Sequence, residues 1–434
     1  MLESFPREQS QDKEADHAHD QIQPGRSECS KEGGYGWVCV VATFLINAHT
    51  WGINSAYGVF LSFYLTSDIF PGTTALEYAF VGGLSISCAM LISPIATYLN
   101  QKVSTRLVLN IGTILETLSL ITTSFVNSNW QLFLSQGACF GFGMGFCFIG
   151  SVGIVSQWFD KKRSLVNGIV ASGSGTGGLI YSLATGKMIP TLGYPWAVRI
   201  IGILCFTVNI ISGNLLRQRF KSSKEAPSFR LSLLKKPIYL LFLGWGFLSA
   251  MGYIGLLFSL SSYTVAVGHT QSEGSLASAF LNLGQAIGRS VIGLLSDRFG
   301  RIEVPFIATF LTGLFSLVIW IFAKTLGVIF FYAILTGLFA GTLWAAAAPM
   351  GTEVVGLEDL PSALGILWFV LTPPTAVAEA IAVQLRDSST DSKPYVRVQL
   401  FIGFVYIGAA VCLIPLRIIL YRKRRDPKLN EATS

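Results

Sequence analysis

The sequence predicts an all-α integral membrane fold of twelve transmembrane helices arranged as two six-helix halves. Three observations lead there. Hydrophobic residues make up 51% of the 434-residue chain and charged residues only 13%, about half the charge of a soluble domain. Apolar stretches of about 20 residues, enough to cross about 30 Å of hydrocarbon, alternate with short polar breaks along almost the whole chain. A basic segment, 217–237, then divides these stretches into two sets.

Residues 1–35 are polar and mixed in charge and read as a disordered cytosolic tail. They lack the apolar core of a cleavable signal peptide, so the first span itself is expected to direct insertion. An N-terminal bundle, 36–216, has spans near Val38 to Leu65, Glu77 to Leu99, Leu107 to Val126, Trp130 to Gln157, Ser164 to Lys187 and Trp196 to Leu216. After the cytosolic linker, a C-terminal bundle, 238–420, has spans near Ile238 to Val267, Gly274 to Ser296, Val304 to Ala323, Gly327 to Gly351, Leu360 to Leu385 and Val396 to Leu420. Residues 421–434 form a second cytosolic tail. Orientation follows from Lys102 and Arg106, Lys161 to Arg163, the linker, Arg298 and Arg301, and Arg422 to Arg425, which fall on alternate loops. By the positive-inside rule these loops and both termini face the cytosol, and the acidic loop Thr352 to Leu360 carries little topological weight. The net charge of +7 thus reports orientation and attraction to anionic lipid rather than a nucleic-acid partner.

The sharpest functional signal is Arg289, near the depth midpoint of the eighth span. A guanidinium in hydrocarbon costs at least about 2.5 kcal/mol and must find water or an anion. Ser278, Asn282, Gln285 and Arg289 recur at helical spacing, so one face carries a polar stripe expected to look into a cavity. The guanidinium fork matches a carboxylate; the plain alternative is an internal salt bridge that locks helices. Asn47, Thr50, Asn54 and Tyr57 form a polar face of the first span. Isolated ionisable groups stand at His49, Glu116 and Glu379. Glu379 follows Pro373 and Pro374 and is expected to face the cavity or to serve packing, with equal claim. Among Trp245, Trp344 and Trp368, one is expected to touch substrate and the others to pack. Arg289, Gln285, Asn282, Asn54, Tyr57, Glu379 and Trp368 are therefore the candidate substrate-binding residues.

Gly137, Gly141 and Gly145 recur at four-residue spacing, with Gly173, Gly175, Gly177 and Gly178 in the next span, and are expected to let spans four and five touch closely. No strand precedes either cluster and no Gly-Lys-Ser/Thr follows, so neither reads as a nucleotide loop. Six of the seven cysteines lie in apolar stretches, and no zinc spacing appears. No metal, cofactor or enzyme chemistry is expected.

Gly293-Leu-Leu-Ser-Asp297-Arg298-Phe-Gly300-Arg301, just after the eighth span, resembles the loop signature of the major facilitator superfamily. Glu32-Gly33-Gly34-Tyr35-Gly36-Trp37, and Trp158 to Gly168 with Lys162 and Arg163, resemble the signatures of its monocarboxylate porter family, whose fungal branch is included. The resemblance covers about Glu32 to Leu420. It implies a major facilitator fold, alternating access between the halves, a substrate near the midplane, and scaffold or gate roles for the motif residues. The sequence departs from the pattern in three places. Asn100 to Arg106 lacks the aspartate and glycines of the first-half loop, Gln285 stands where the porters place a proton-coupling aspartate, and Ser55 stands where mammalian members place a lysine. Proton coupling is thus left open, and a substrate larger than lactate is favoured.

The expected function is secondary-active or facilitative transport of an organic anion or carboxylate-bearing metabolite, with efflux of a fungal specialised metabolite as credible as uptake. A non-transporting receptor or scaffold and an importer of a neutral small molecule are the alternatives. Plasma membrane is the default location, with the vacuole as the other; partners are a small-molecule substrate and the lipid bilayer, and the oligomeric state is open.

Overall fold

The computed structural model describes residues 33–67, 69, 72–219, 230–386 and 395–425. Glu32, residues 220–229 of the linker and most of both tails lie outside them. All regular structure among the described residues is helical. Before the linker run α1 (Gly36–His49), α2 (Trp51–Ser55), α3 (Tyr57–Ser67), α4 (Ala75–Leu91), α5 (Ser93–Lys102), α6 (Thr105–Thr123), α7 (Asn129–Leu132), α8 (Phe140–Ser151), α9 (Arg163–Leu192) and α10 (Tyr194–Leu215). After it come α11 (Pro237–Ala266), α12 (Gln271–Phe299), α13 (Glu303–Val318), α14 (Leu326–Ala340), α15 (Thr342–Val370), α16 (Thr372–Gln384) and α17 (Val396–Arg425).

Local chemistry sets the ends of these helices. Thr74 with Glu77, and Thr270 with Glu273, form reciprocal capping boxes that satisfy the first amides of α4 and α12. Prolines open α5, α10, α11 and α16, where a missing N–H costs nothing. Gly300, at φ 130°, ends α12 in a conformation that side chains rarely adopt. Gly356 at φ 84° puts a break inside α15.

Among the described residues, eight helical stretches are long and apolar enough to cross a membrane, and one of them, Leu326–Gln384, runs for 59 residues. Polarity is distributed as hydrocarbon solvent demands. Phe331 and Phe404 are about 60% exposed and Ile114 and Ile180 also face outward, whereas Asn47, Asn54, Glu116, Asn282, Gln285 and Arg289 are buried. In a water-soluble protein this distribution would be reversed.

The most extensively packed helix pair among the described residues is α9 with α12, one from each side of the linker. Any side chain at Gly168 would run into the carbonyl of Arg289, and any at Gly293 into that of Ser164. The expected contact between spans four and five is corrected here. Gly137, Gly141 and Gly145 press on Leu84, Ser85 and Ala89 of α4, while Gly173 and Gly177 press on Phe44 and Ala48 of α1 and Gly175 on α12. Each glycine row serves a different neighbour, because small residues specify closeness but not the partner.

Candidate functional site

Arg289 sits at the α9–α12 seam with only 4% of its surface exposed. Its Nη1 donates to the Ala171 carbonyl at 2.8 Å and to the Ser174 hydroxyl; its Nη2 donates to Gln285 Oε1 at 2.5 Å and to the Tyr253 hydroxyl at 3.2 Å. Tyr253 in turn donates to Gln285 Oε1 at 2.8 Å. Every one of these partners is neutral, and Arg289 makes no ion pair among the described residues. The internal salt bridge weighed above is therefore absent from this set. A buried guanidinium without a counter-charge is strongly disfavoured unless an anion or water completes it. Among the described residues its Nε also has no partner, nor do Gln285 Nε2 and both amide atoms of Asn282.

Arg289 lines a cavity of about 40 Å³ together with Asn47, Trp51, Phe148, Asn167, Ser174, Tyr253 and Trp344. That volume admits about three waters. The walls come from both sides of the linker. A larger hollow of about 290 Å³, lined by Gly58, Ser182, Ser262, Ser278 and Arg386, adjoins it at Ser55, which lines both.

The other residues singled out by the sequence divide sharply. Asn54 donates to Ser85 at 2.6 Å and Tyr57 to the Tyr78 carbonyl at 2.6 Å, and both line a separate void of about 10 Å³. The first span does not present one polar face, because the chain leaves helical geometry at Thr50 (φ −112°, ψ −83°) and restarts as α2. Asn47 therefore meets the Arg289 cavity while Asn54 and Tyr57 turn into the N-terminal core. Trp344 lines the cavity, and Trp368 stacks behind it at 5.7 Å and 10°. Trp245 is fully buried and donates to Thr309 at 3.2 Å. Glu379 is buried in α16 and has no hydrogen bond or ion pair among the described residues. Glu116 accepts from Asn209 at 3.2 Å, and the His49 ring meets Tyr181 edge-on at 5.7 Å. Trp51, Phe148, Tyr253 and Ser174 were missed by sequence reasoning: each is one residue in an apolar or glycine-rich run, with no periodicity to mark it.

At one end of the bundle three distant stretches of sequence meet. The Gly36 backbone packs on Trp158, Tyr35 on the Trp158 ring at 6.0 Å, and Trp37 edge-on to Phe159 at 5.2 Å. The Tyr35 hydroxyl donates to the Leu215 carbonyl at 2.8 Å, and the Arg217 guanidinium covers the Tyr35 ring. Gly33 and Gly34 take positive φ, which brings this turn onto α1. Asp297 then crosses to α9, where its carboxylate accepts the amides of Ser164 at 3.1 Å and Leu165 at 2.8 Å. Arg301 reaches the Asp160 carbonyl at 2.7 Å, Glu353 at 3.1 Å and Asp297 at 3.4 Å. Arg163 is buried against the carbonyls of Ser156 and Phe159 and pairs with Asp160 at 3.2 Å. Lys162 and Arg298 stay exposed, Arg298 lying over Phe299. The acidic loop thus supplies partners: Glu353 to Arg301, and Asp359 to Arg230 at 2.6 Å. Among the described residues no group of His, Cys, Asp and Glu is placed to hold a metal.

Helices with an apolar exterior around a buried polar cavity make this a multi-pass membrane protein of the transporter class. The sequence profile of the Major Facilitator Superfamily matches residues 39–372, and the chain belongs to that family. Among its relatives is the probable transporter MCH2 of Saccharomyces cerevisiae, 34% identical over 89% of this chain and 83% of that protein. The agnestins efflux protein of Paecilomyces divaricatus is 25% identical over 87% of this chain and 86% of its own length. The fujikurins efflux protein of Gibberella fujikuroi is 25% identical over 95% and 87%.

Proposed function

We propose that the protein moves an organic anion, a carboxylate-bearing metabolite, across the membrane by alternating access, with Arg289 as the anchor for the carboxylate. The observation that carries this is a buried guanidinium that meets only neutral partners at the wall of a cavity shared by both halves. Twelve spans fit the helices: the 59-residue stretch is more than twice the length a bilayer needs and breaks at Gly356, giving two spans, and α6, α9 and α12 complete the set. The monocarboxylate porter branch is supported by the mutual packing of the stretches around Tyr35 and Trp158. Efflux is supported by the two relatives named as efflux proteins, and the proposed direction is export of a specialised metabolite across the plasma membrane. The basic loops support cytosolic termini. The contact of Asp297 with the α9 N-terminus then closes the cytosolic end, and transport requires it to open. Arg386, at the hollow on the opposite side, supplies positive charge along the route of an anion.

Purified full-length protein in proteoliposomes tests this with a panel of labelled organic acids under imposed gradients. At least one acid is expected to move, and Arg289→Ala is expected to abolish its flux, with Arg289→Lys recovering only part because the fork is lost. Intact flux in Arg289→Ala would remove the anchor. Saturable binding of an acid without flux would replace the transporter by a receptor.

A further inference from the structure

The cavity at Arg289 has one charged lining residue and a wall of rings. Trp344 is bracketed by Trp51 at 4.9 Å and 44° and by Trp368 at 5.7 Å and 10°. Phe148 meets Trp51 edge-on at 5.4 Å, and Tyr253 meets Trp344 at 6.0 Å and 70°. Trp51 and Phe148 come from the N-terminal half, the other three from the C-terminal half. Tyr253 touches both Arg289 and Trp344, so the guanidinium and the indole wall lie one ring apart. The indole N–H of Trp51, a residue only 8% exposed, has no partner among the described residues. Among those residues no acidic side chain and no second cation lines the cavity. Thr43, Asn47, Ser151 and Asn167 also line the cavity.

Building on the carboxylate reading of Arg289, we propose that the substrate is a planar aromatic monocarboxylate, its ring system inserted between Trp51 and Trp344. One buried cation accommodates one negative charge. A second carboxylate would have no counter-charge and an ammonium group no acid to meet, so dicarboxylates and amino acids are both disfavoured. Rings offset-stacked or edge-on at these separations favour a π-surface over a saturated body of the same size. The existing cavity of about 40 Å³ is too small for a bicyclic acid. Such a ligand therefore parts Trp51 from Trp344 and replaces one contact across the halves with two, binding the halves together through its own ring. Ring hydroxyls or carbonyls would meet Asn47 and Asn167.

The test uses the full-length protein with three probes, 2-naphthoate, its decahydro analogue and naphthalene-2,6-dicarboxylate, and reads affinity by calorimetry and by quenching of tryptophan emission. Naphthoate is expected to bind about tenfold more tightly than the saturated acid, equivalent to about 1.4 kcal/mol, and at least tenfold more tightly than the dicarboxylate. Trp344→Leu is expected to reduce the first ratio to below twofold. Trp51→Leu should do the same and serves if the first variant does not fold. If the saturated acid binds as well as naphthoate and needs Arg289, the aromatic proposal falls while the carboxylate reading stands. If neither monoacid binds, both fall. Equal affinity for the dicarboxylate, or a ratio unchanged in both tryptophan variants, overturns the proposal.

Discussion

Asp297 offers the clearest handle on the motion, because one carboxylate joins the end of α12 to the first turn of α9. Its oxygens accept the Ser164 and Leu165 amides at 3.1 and 2.8 Å. Those amides have no partner within their own helix, and a cap of this kind is worth about 1 kcal/mol. The negative charge at the positive end of a 30-residue helix adds about 0.3–1 kcal/mol. The 3.4 Å approach to Arg301 adds little. Asp297→Asn keeps one acceptor oxygen and loses the charge, so the closed arrangement should weaken by about 1–2 kcal/mol, a shift of about 5- to 30-fold in the closed-to-open ratio. The reporter is a single cysteine at Ser164, 2% exposed in this arrangement, placed in a chain whose seven native cysteines are replaced. Its alkylation by a membrane-impermeant maleimide, applied from the Asp297 side, should quicken by that factor in Asp297→Asn. Arg298→Ala, an exposed neighbour, should leave it unchanged. Equal rates in Asp297→Asn and the parent would refute the role of Asp297 as the cap that holds this end closed.

Gly168→Ala should lower the melting temperature of the detergent-solubilised protein, because the methyl meets the Arg289 carbonyl and overpacking costs about 1–3 kcal/mol; an unchanged melt would mean the seam has slack. Tyr35→Phe removes the bond to the Leu215 carbonyl and should cost about 0.5–1.5 kcal/mol in chemical unfolding, with no change in substrate affinity. Trp245→Phe should reduce stability while leaving flux per folded molecule intact, since its indole contacts Thr309 and not the cavity; a selective loss of flux would place it in the binding site after all. Glu116→Leu leaves the Asn209 amide only the Cys205 sulfur as acceptor and should destabilise by about 1–3 kcal/mol, whereas Glu116→Gln keeps an oxygen acceptor and should melt close to the parent.

The parts legible in the sequence share a physical basis. Gln285 and Arg289 could be read as neighbours because α12 is an unbroken helix, so that a spacing of four residues brings the two side chains together, but neither Asn282 nor Gln285 lines the Arg289 cavity. The same rule failed on the first span, where the break at Thr50 rotates Asn54 and Tyr57 away from Asn47. Nothing in the local sequence announces that break, since Thr50 closes it with a bond to the Ile46 carbonyl that many helical threonines make. The partners of Arg289 were illegible for a different reason. Ala171, Ser174 and Tyr253 arrive from other helices, and only long-range packing decides which residue of a helix meets a given side chain. The glycine rows likewise announced tight packing without naming their neighbours.

The α9–α12 seam has a mechanical consequence. Where Gly168, Gly175 and Gly293 face backbone on the opposite helix, the two helices meet without interlocking side chains. Arg289 crosses the same seam to Ala171 and Ser174, and Asp297 crosses it to the amides of Ser164 and Leu165. The glycine contacts can pivot without any rotamer change, so the resistance to rocking concentrates at the Arg289 bonds, at the Asp297 cap and at the indole pair of Trp51 and Trp344. In the proposed alternating-access cycle, the pace would then follow the breaking of a few polar and aromatic contacts, each open to tuning by a single substitution.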